Sequence, residues 1–184
     1  GCTHLGWVYE PGAGVTRDAN RAGTLYRRAC DGNDPRGCAN LGWLMENGTG
    51  VARDVPGALV LYRGACDRDE GVACANLGRV HAEGTGVARD LNAARGFFAK
   101  GCDHAMPSAC TRLGWMYEAG EGTTVDYAHA ADLYRRGCDG SDLRGCVNLG
   151  WLHQAGAGVP QDASAAKRLY EQGEPRYCQN PPVE

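Results

Sequence analysis

The 184-residue chain contains nothing approaching the ~18 consecutive apolar residues of a membrane span, so insertion into a bilayer is not expected. It also lacks an excess of charge of one sign. With 19 Lys and Arg against 22 Asp and Glu, the formal net charge is -3, and neither nucleic acid nor an anionic membrane is an expected partner. The Cys-x7-Cys spacing fits no standard zinc pattern, which prefers two to four intervening residues, so no metal is expected. No His, Asp and Ser recur together as a nucleophilic triad requires. Catalytic residues and cofactors are therefore absent from the expectations.

What is present is a period. Cys30-Asp-Gly-Asn-Asp-Pro-Arg-Gly-Cys38-Ala-Asn-Leu-Gly-Trp43 returns as Cys138-Asp-Gly-Ser-Asp-Leu-Arg-Gly-Cys146-Val-Asn-Leu-Gly-Trp151. Cys2, Cys38, Cys74, Cys110 and Cys146 are 36 residues apart, and so are Cys30, Cys66, Cys102 and Cys138. A fixed spacing of this size is the signature of stacked repeats, each unable to bury its apolar face alone. The units begin at those first five cysteines and form a single repeat domain over residues 1–174. The opening Gly1-Cys2 lies inside the pattern, so a trimmed chain with further repeats upstream of Cys2 is expected. Pro175, Pro181 and Pro182 forbid regular helix, and residues 175–184 read as an irregular tail.

Within unit two, Cys38, Leu41, Gly42 and Met45 fall at i, i+3, i+4 and i+7, one face of a helix A. Gly48 and Gly50 end it, and Asp54 is placed to cap a helix B. There Ala58, Leu61, Tyr62 and Ala65 repeat the stripe. Each unit is thus a helix hairpin, with small residues such as Gly42 and Ala58 where helices approach closely. Asp18, Asp54, Asp90, Asp126 and Asp162 share one register position and read as N-caps. Between the paired cysteines, Asp31 and Asp34 are too few for a calcium loop, and the segment reads as a turn joining B to the next A.

Ten cysteines in regular pairs point to an oxidising compartment, the bacterial periplasm or the exterior. Two pairings are geometrically reasonable. One crosses each B-to-A loop: Cys30–Cys38, Cys66–Cys74, Cys102–Cys110 and Cys138–Cys146, leaving Cys2 and Cys178 over. The other closes each hairpin, Cys2–Cys30 through Cys146–Cys178, and uses all ten, although its last spacing is 32 rather than 28 residues. The first is preferred because a partner for Cys2 would lie upstream of Gly1.

Ala-x-x-Leu-Tyr-x-x-Ala-Cys, Cys-x-x-Leu-Gly and Gly-x-Gly-Val resemble Sel1-like repeats, relatives of the tetratricopeptide repeat. The Cys-x7-Cys pairs make the chain similar to the Helicobacter cysteine-rich protein family. The resemblance covers residues 2–173. It implies an all-α fold, a right-handed α/α superhelical solenoid of about five disulfide-linked hairpins, with a concave face made mainly by the A helices. It also implies the disulfide across the B-to-A loop. Members are mostly protein-interaction modules, and some are described as penicillin-binding proteins or weak β-lactamases.

On a wheel at about 100° per residue, Trp43 lies roughly 140° from the A-helix core stripe, with Arg36, Ala39 and Glu46. The register then yields a ladder of Trp7, Trp43, Arg79, Trp115 and Trp151, flanked by Glu10, Glu46, Glu118 and Gln154, with Arg144 near. Trp and Arg are the types enriched at binding hot spots, so a groove for a peptide, a protein segment or a cell-wall glycan is expected. Arg79 breaks the series and is the residue expected to contact ligand. The bland alternative is that each Trp packs against the neighbouring A helix. Asn40, Asn76 and Asn148, replaced by His4 and Arg112 in the other units, either bond a peptide backbone or hold the inter-repeat loops. His81 and His153 occupy the position of Tyr9, Met45 and Tyr117 and read as half-buried. Ser164-Ala-Ala-Lys167 matches the Ser-x-x-Lys of penicillin-recognising enzymes, yet it sits in the first turn of a helix B with no companion motif. The expected function is peptide binding outside the cytoplasm, with a penicillin-binding or β-lactamase-like protein as the alternative.

Overall fold

A computed structural model describes residues 1–173. Glu174, the tail at 175–184 and Cys178 lie outside the described residues. Ten α-helices and no strand occur among those described: α1 (Cys2–Tyr9), α2 (Ala19–Asp31), α3 (Pro35–Asn47), α4 (Val55–Cys66), α5 (Gly71–Glu83), α6 (Leu91–Asp103), α7 (Pro107–Ala119), α8 (Tyr127–Asp139), α9 (Leu143–Ala155) and α10 (Ala163–Gly173). Odd-numbered helices are the A helices and even-numbered ones the B helices. None is long and apolar enough to cross a membrane.

The chain forms two compact units, Gly1–Asp90 with α1 to α5, and a second from Leu91 onward with α6 to α10. The division falls inside the third repeat, between its A and B helices. Within the first unit α1 packs on α2, α2 on α3, α3 on α4 and α4 on α5. Within the second, the same succession runs from α6 to α10.

Local chemistry accounts for the boundaries. The carboxylates of Asp18, Asp54 and Asp126 each accept at 2.9 Å from the backbone N–H three residues on, and Asp162 accepts from Ser164 and Ala165. These are the N-caps that the register suggests. Asp34 caps α3 in the same way through Arg36 and Gly37. Each A helix from α3 to α9 ends on a left-handed glycine: Gly48, Gly84, Gly120 and Gly156. The second glycine of the Gly-x-Gly loop has a different task. Gly50 sits at φ 67°, and a Cβ there would come within 2.2 Å of the Ala19 carbonyl carbon, so the loop can lie directly on the start of α2.

The Leu-Gly pair is explained by the tyrosine of helix B. A Cβ at Gly42 would stand 2.9 Å from the Tyr62 ring and 3.3 Å from the Ala58 carbonyl oxygen. Gly6, Gly114 and Gly150 bear the same relation to Tyr26, Tyr134 and Tyr170. Small residue and large ring are two halves of one contact, and Tyr26, Tyr62 and Tyr134 are fully buried.

The bridges cross the B-to-A loops: Cys30–Cys38, Cys66–Cys74, Cys102–Cys110 and Cys138–Cys146, with Cα separations of 4.5 to 4.8 Å. Cys2 is free. The hairpin-closing alternative is thereby excluded. The linking segment is shorter than a loop from Asp31 to Gly37, because α2 runs through Asp31 and α3 starts at Pro35. Both cysteines of a pair therefore belong to helix ends, and each bridge ties consecutive helices almost at their point of contact.

Candidate functional site

Each A helix enclosed by B helices on two sides buries a wide arc. In α3, Cys38, Ala39, Leu41, Gly42, Leu44 and Glu46 are all buried, leaving Arg36, Trp43 and Asn47 exposed, with Asn40 half-buried between them. This i, i+4, i+7, i+11 strip is what the helix offers to solvent. The sequence expectation grouped Ala39 and Glu46 with Trp43 on the open face. That placement is corrected, because an arc set by two packing partners is broader than one stripe.

The tryptophans stand on the open strips. In the first unit Trp7 is 55% and Trp43 40% exposed, and in the second Trp115 and Trp151 are 46% and 44% exposed. Trp7 separates two hollows. One, of about 310 Å³, is lined by Trp7, Trp43, Glu10, Pro11 and Arg17. The other, of about 560 Å³, is lined by Thr3, His4, Trp7, Asp34, Arg36 and Asn40 beside the N-terminal glycine. His4 stacks on Trp7 with centroids 6.1 Å apart. Arg17 is anchored by its Nε, which donates to the Glu10 carbonyl at 3.1 Å. In the second unit Tyr127 lies 6.5 Å from Trp151, ring to ring. Sequence reasoning passed over Pro11, Arg17 and Tyr127. The last was detectable, since its register position holds Ala19, Val55, Leu91 and Ala163 elsewhere.

Arg79 occupies the ladder position on α5 but is 26% exposed and engaged. Its Nη2 donates to both Glu46 oxygens at 2.7 and 2.6 Å, and Nη1 to Glu83 Oε2 at 3.0 Å. Glu46, 7% exposed, also accepts from the Tyr62 hydroxyl at 2.9 Å. In repeats where a Trp follows, the equivalent Glu10 and Glu118 are only half-buried and accept from Tyr26 and Tyr134. The arginine thus compensates a deeper carboxylate. Asn40 and Asn148 reach back to the phenols of Tyr26 and Tyr134. Asn76, on α5, and His81 and His153 are half-buried. Ser164 and Lys167 are both exposed, and Lys167 lies 3.9 Å from Glu171.

The three phenols have a pH consequence. Burial first, then the adjoining carboxylates, holds the pKa of Tyr26, Tyr62 and Tyr134 well above the ordinary tyrosine value. The folded chain keeps these protons longer than the unfolded chain. Stability is therefore full below the unfolded pKa of about 10 and is lost as pH rises above it. Tyrosinate absorbance from these three should rise only together with loss of helical circular dichroism. A Tyr26→Phe/Tyr62→Phe/Tyr134→Phe chain that unfolds over an unchanged alkaline range would sink this account.

The Sel1 repeat model matches residues 1–34, 35–70, 71–105, 107–142 and 143–173. Among solved structures, a Sel1 repeat protein from Oxalobacter formigenes is 29% identical, covering 95% of this chain and 71% of that one at a TM-score of 0.86. A protective antigen of uropathogenic Escherichia coli with an SLR fold is also 29% identical, covering 95% of this chain and 38% of its own at 0.81. Helicobacter pylori cysteine rich protein B is 26% identical over 66% of this chain and 86% of its own, at 0.53. No curated protein matches. Sel1 repeats generally mediate protein–protein interaction on a non-catalytic fold. With five repeats matched across its described length, the chain belongs to the Sel1 repeat family.

Proposed function

We propose that this chain is an extracytoplasmic interaction module that binds an extended peptide or protein segment across the open strip of its A helices. The observation that carries the reading is the exposure of Trp7 and Trp43 around a shared hollow with Arg17 at its margin, and a second hollow on the other side of Trp7 lined by His4 and Arg36. Exposed indoles beside polar groups that fix orientation are the composition of an interaction hot spot. Bridged helix ends keep the surface formed before binding, so little ordering cost accompanies association. Four disulfides in place of thiols support a location outside the cytoplasm. Within this reading Arg79 and Glu46 hold the surface from beneath, and Trp115 and Trp151 offer a second surface on the second unit.

A random peptide library panned on the native chain tests this, with Trp7→Ala/Trp43→Ala as the comparison. Enriched peptides should bind the variant about 30-fold or more weakly, the loss of one hot spot. Peptides that bind both chains equally would remove the site from α1 and α3. Binding of soluble peptidoglycan fragments with no peptide enrichment would replace the protein segment by a glycan.

A further inference from the structure

The four bridges share spacing and helix context but differ in surroundings. Seven of the eight bridged cysteines expose 4% or less of their surface, while Cys30 is half-buried. The partner sulfur, Cys38 Sγ, lies 3.4 Å from Nη2 of Arg68. That guanidinium belongs to an exposed residue and is oriented by neighbouring oxygens. Its Nε donates to the Gly64 carbonyl at 2.9 Å and its Nη1 to the Asn33 carbonyl at 3.1 Å, with a second contact to the Asn33 side-chain oxygen. None of these acceptors is a carboxylate. The same register position holds Gly32, His104 and Gly140 in neighbouring repeats. At Cys102–Cys110 the nearby Arg136 donates to the Cys102 carbonyl instead of a sulfur.

From this geometry we infer that Cys30–Cys38 is a thiol–disulfide exchange site, open to an external small thiolate and directed by Arg68. The incoming sulfur attacks Cys30 Sγ, which belongs to the less buried cysteine of the pair. The S–S bond breaks, its electron pair leaves on Cys38 Sγ, and a mixed disulfide forms on Cys30. The departing thiolate is met by a fixed positive charge, which lowers its basicity and makes it the better leaving group. A second thiolate then takes the first off Cys30 as a disulfide, leaving two thiols in the chain and one oxidised thiol pair outside. The other three bridges, with both cysteines buried, stay closed while this one opens.

The test is exposure of the native chain to reduced glutathione without denaturant, quenching by alkylation, and peptide mapping over time. Glutathione should appear first on Cys30, with Cys38 as the alkylated thiol, at least about tenfold faster than exchange at any other bridge. Arg68→Gln should slow that step about threefold, as a leaving thiol about one pK unit more basic would at a Brønsted slope near 0.5. Arg68→Lys should restore part of it, and added salt should slow the native chain but not Arg68→Gln. Circular dichroism checks that both variants keep their helices. First attachment at Cys38 or at another bridge overturns the assignment. So does an Arg68→Gln chain that exchanges as fast as the native one.

Discussion

Reduction of all four bridges should unfold this chain at physiological temperature. Each bridge spans a sequence separation of 8 residues and contributes about 2.5 kcal/mol on the loop-entropy account. Four such terms amount to about 10 kcal/mol, comparable with the whole stability of an ordinary domain. At about 2–4 °C per kcal/mol for a chain of this size, the melting temperature should fall by about 20–40 °C. Thermal circular dichroism of the native chain against a reduced and alkylated one measures this directly. A shift under about 5 °C would show that helix packing alone carries the fold, and the case for an oxidising compartment would lose its physical basis.

The second large effect concerns Glu46. Its carboxylate is buried and satisfied by Arg79 from the next A helix and by the Tyr62 hydroxyl from its own hairpin. Glu46→Ala leaves a half-buried guanidinium with only Glu83 as its anion and deprives the buried Tyr62 hydroxyl of its acceptor, and should cost about 3 kcal/mol. Arg79→Trp restores the residue found at this register in the other repeats but strips the carboxylate of its cation, and should cost about 2 kcal/mol despite the consensus. The double Glu46→Ala/Arg79→Ala should recover about 2 kcal/mol relative to the sum of the single alanine changes, because neither charge is then stranded. Urea unfolding of the four alanine-cycle chains yields the coupling. Additivity within about 0.5 kcal/mol would mean that the ion pair is incidental, and Arg79 would return to consideration as a ligand contact.

Much of the fold was legible because the same sentence is written five times. Any one helix stripe is a weak signal, but Leu41-Gly42, the Gly48 and Gly50 loop, the Asp54 cap and Ala58 to Ala65 recur at a constant offset, so errors in one copy are corrected by the next. The bridge pairing was narrowed to two possibilities and no further. A helix B ends close both to the start of its own hairpin and to the next A helix, and spacing cannot distinguish two short distances.

The candidate surface was legible in part. The register placed the four tryptophans on one helix face, and all four are in fact exposed. It could not decide between Glu46 as a groove acid and Glu46 as a buried one, since that depends on whether a cation arrives from the neighbouring repeat. Nor could it distinguish the bridges, because the register marks Arg68 as different without saying which sulfur its guanidinium reaches.

The sequence by itself determined the periodic quantities: helix type, caps, hairpin order, the small residues at close helix approaches and the outward-facing tryptophans. These follow from local propensity and from a spacing that every unit obeys. Tertiary structure decided what differs between units: the commitment of Arg79, the width of the buried arc on α3, the hollows beside Trp7, the half-buried Cys30 and the placement of Arg68 against its partner Cys38. Those depend on side chains some thirty residues apart meeting at angstrom separations, which periodicity permits without specifying.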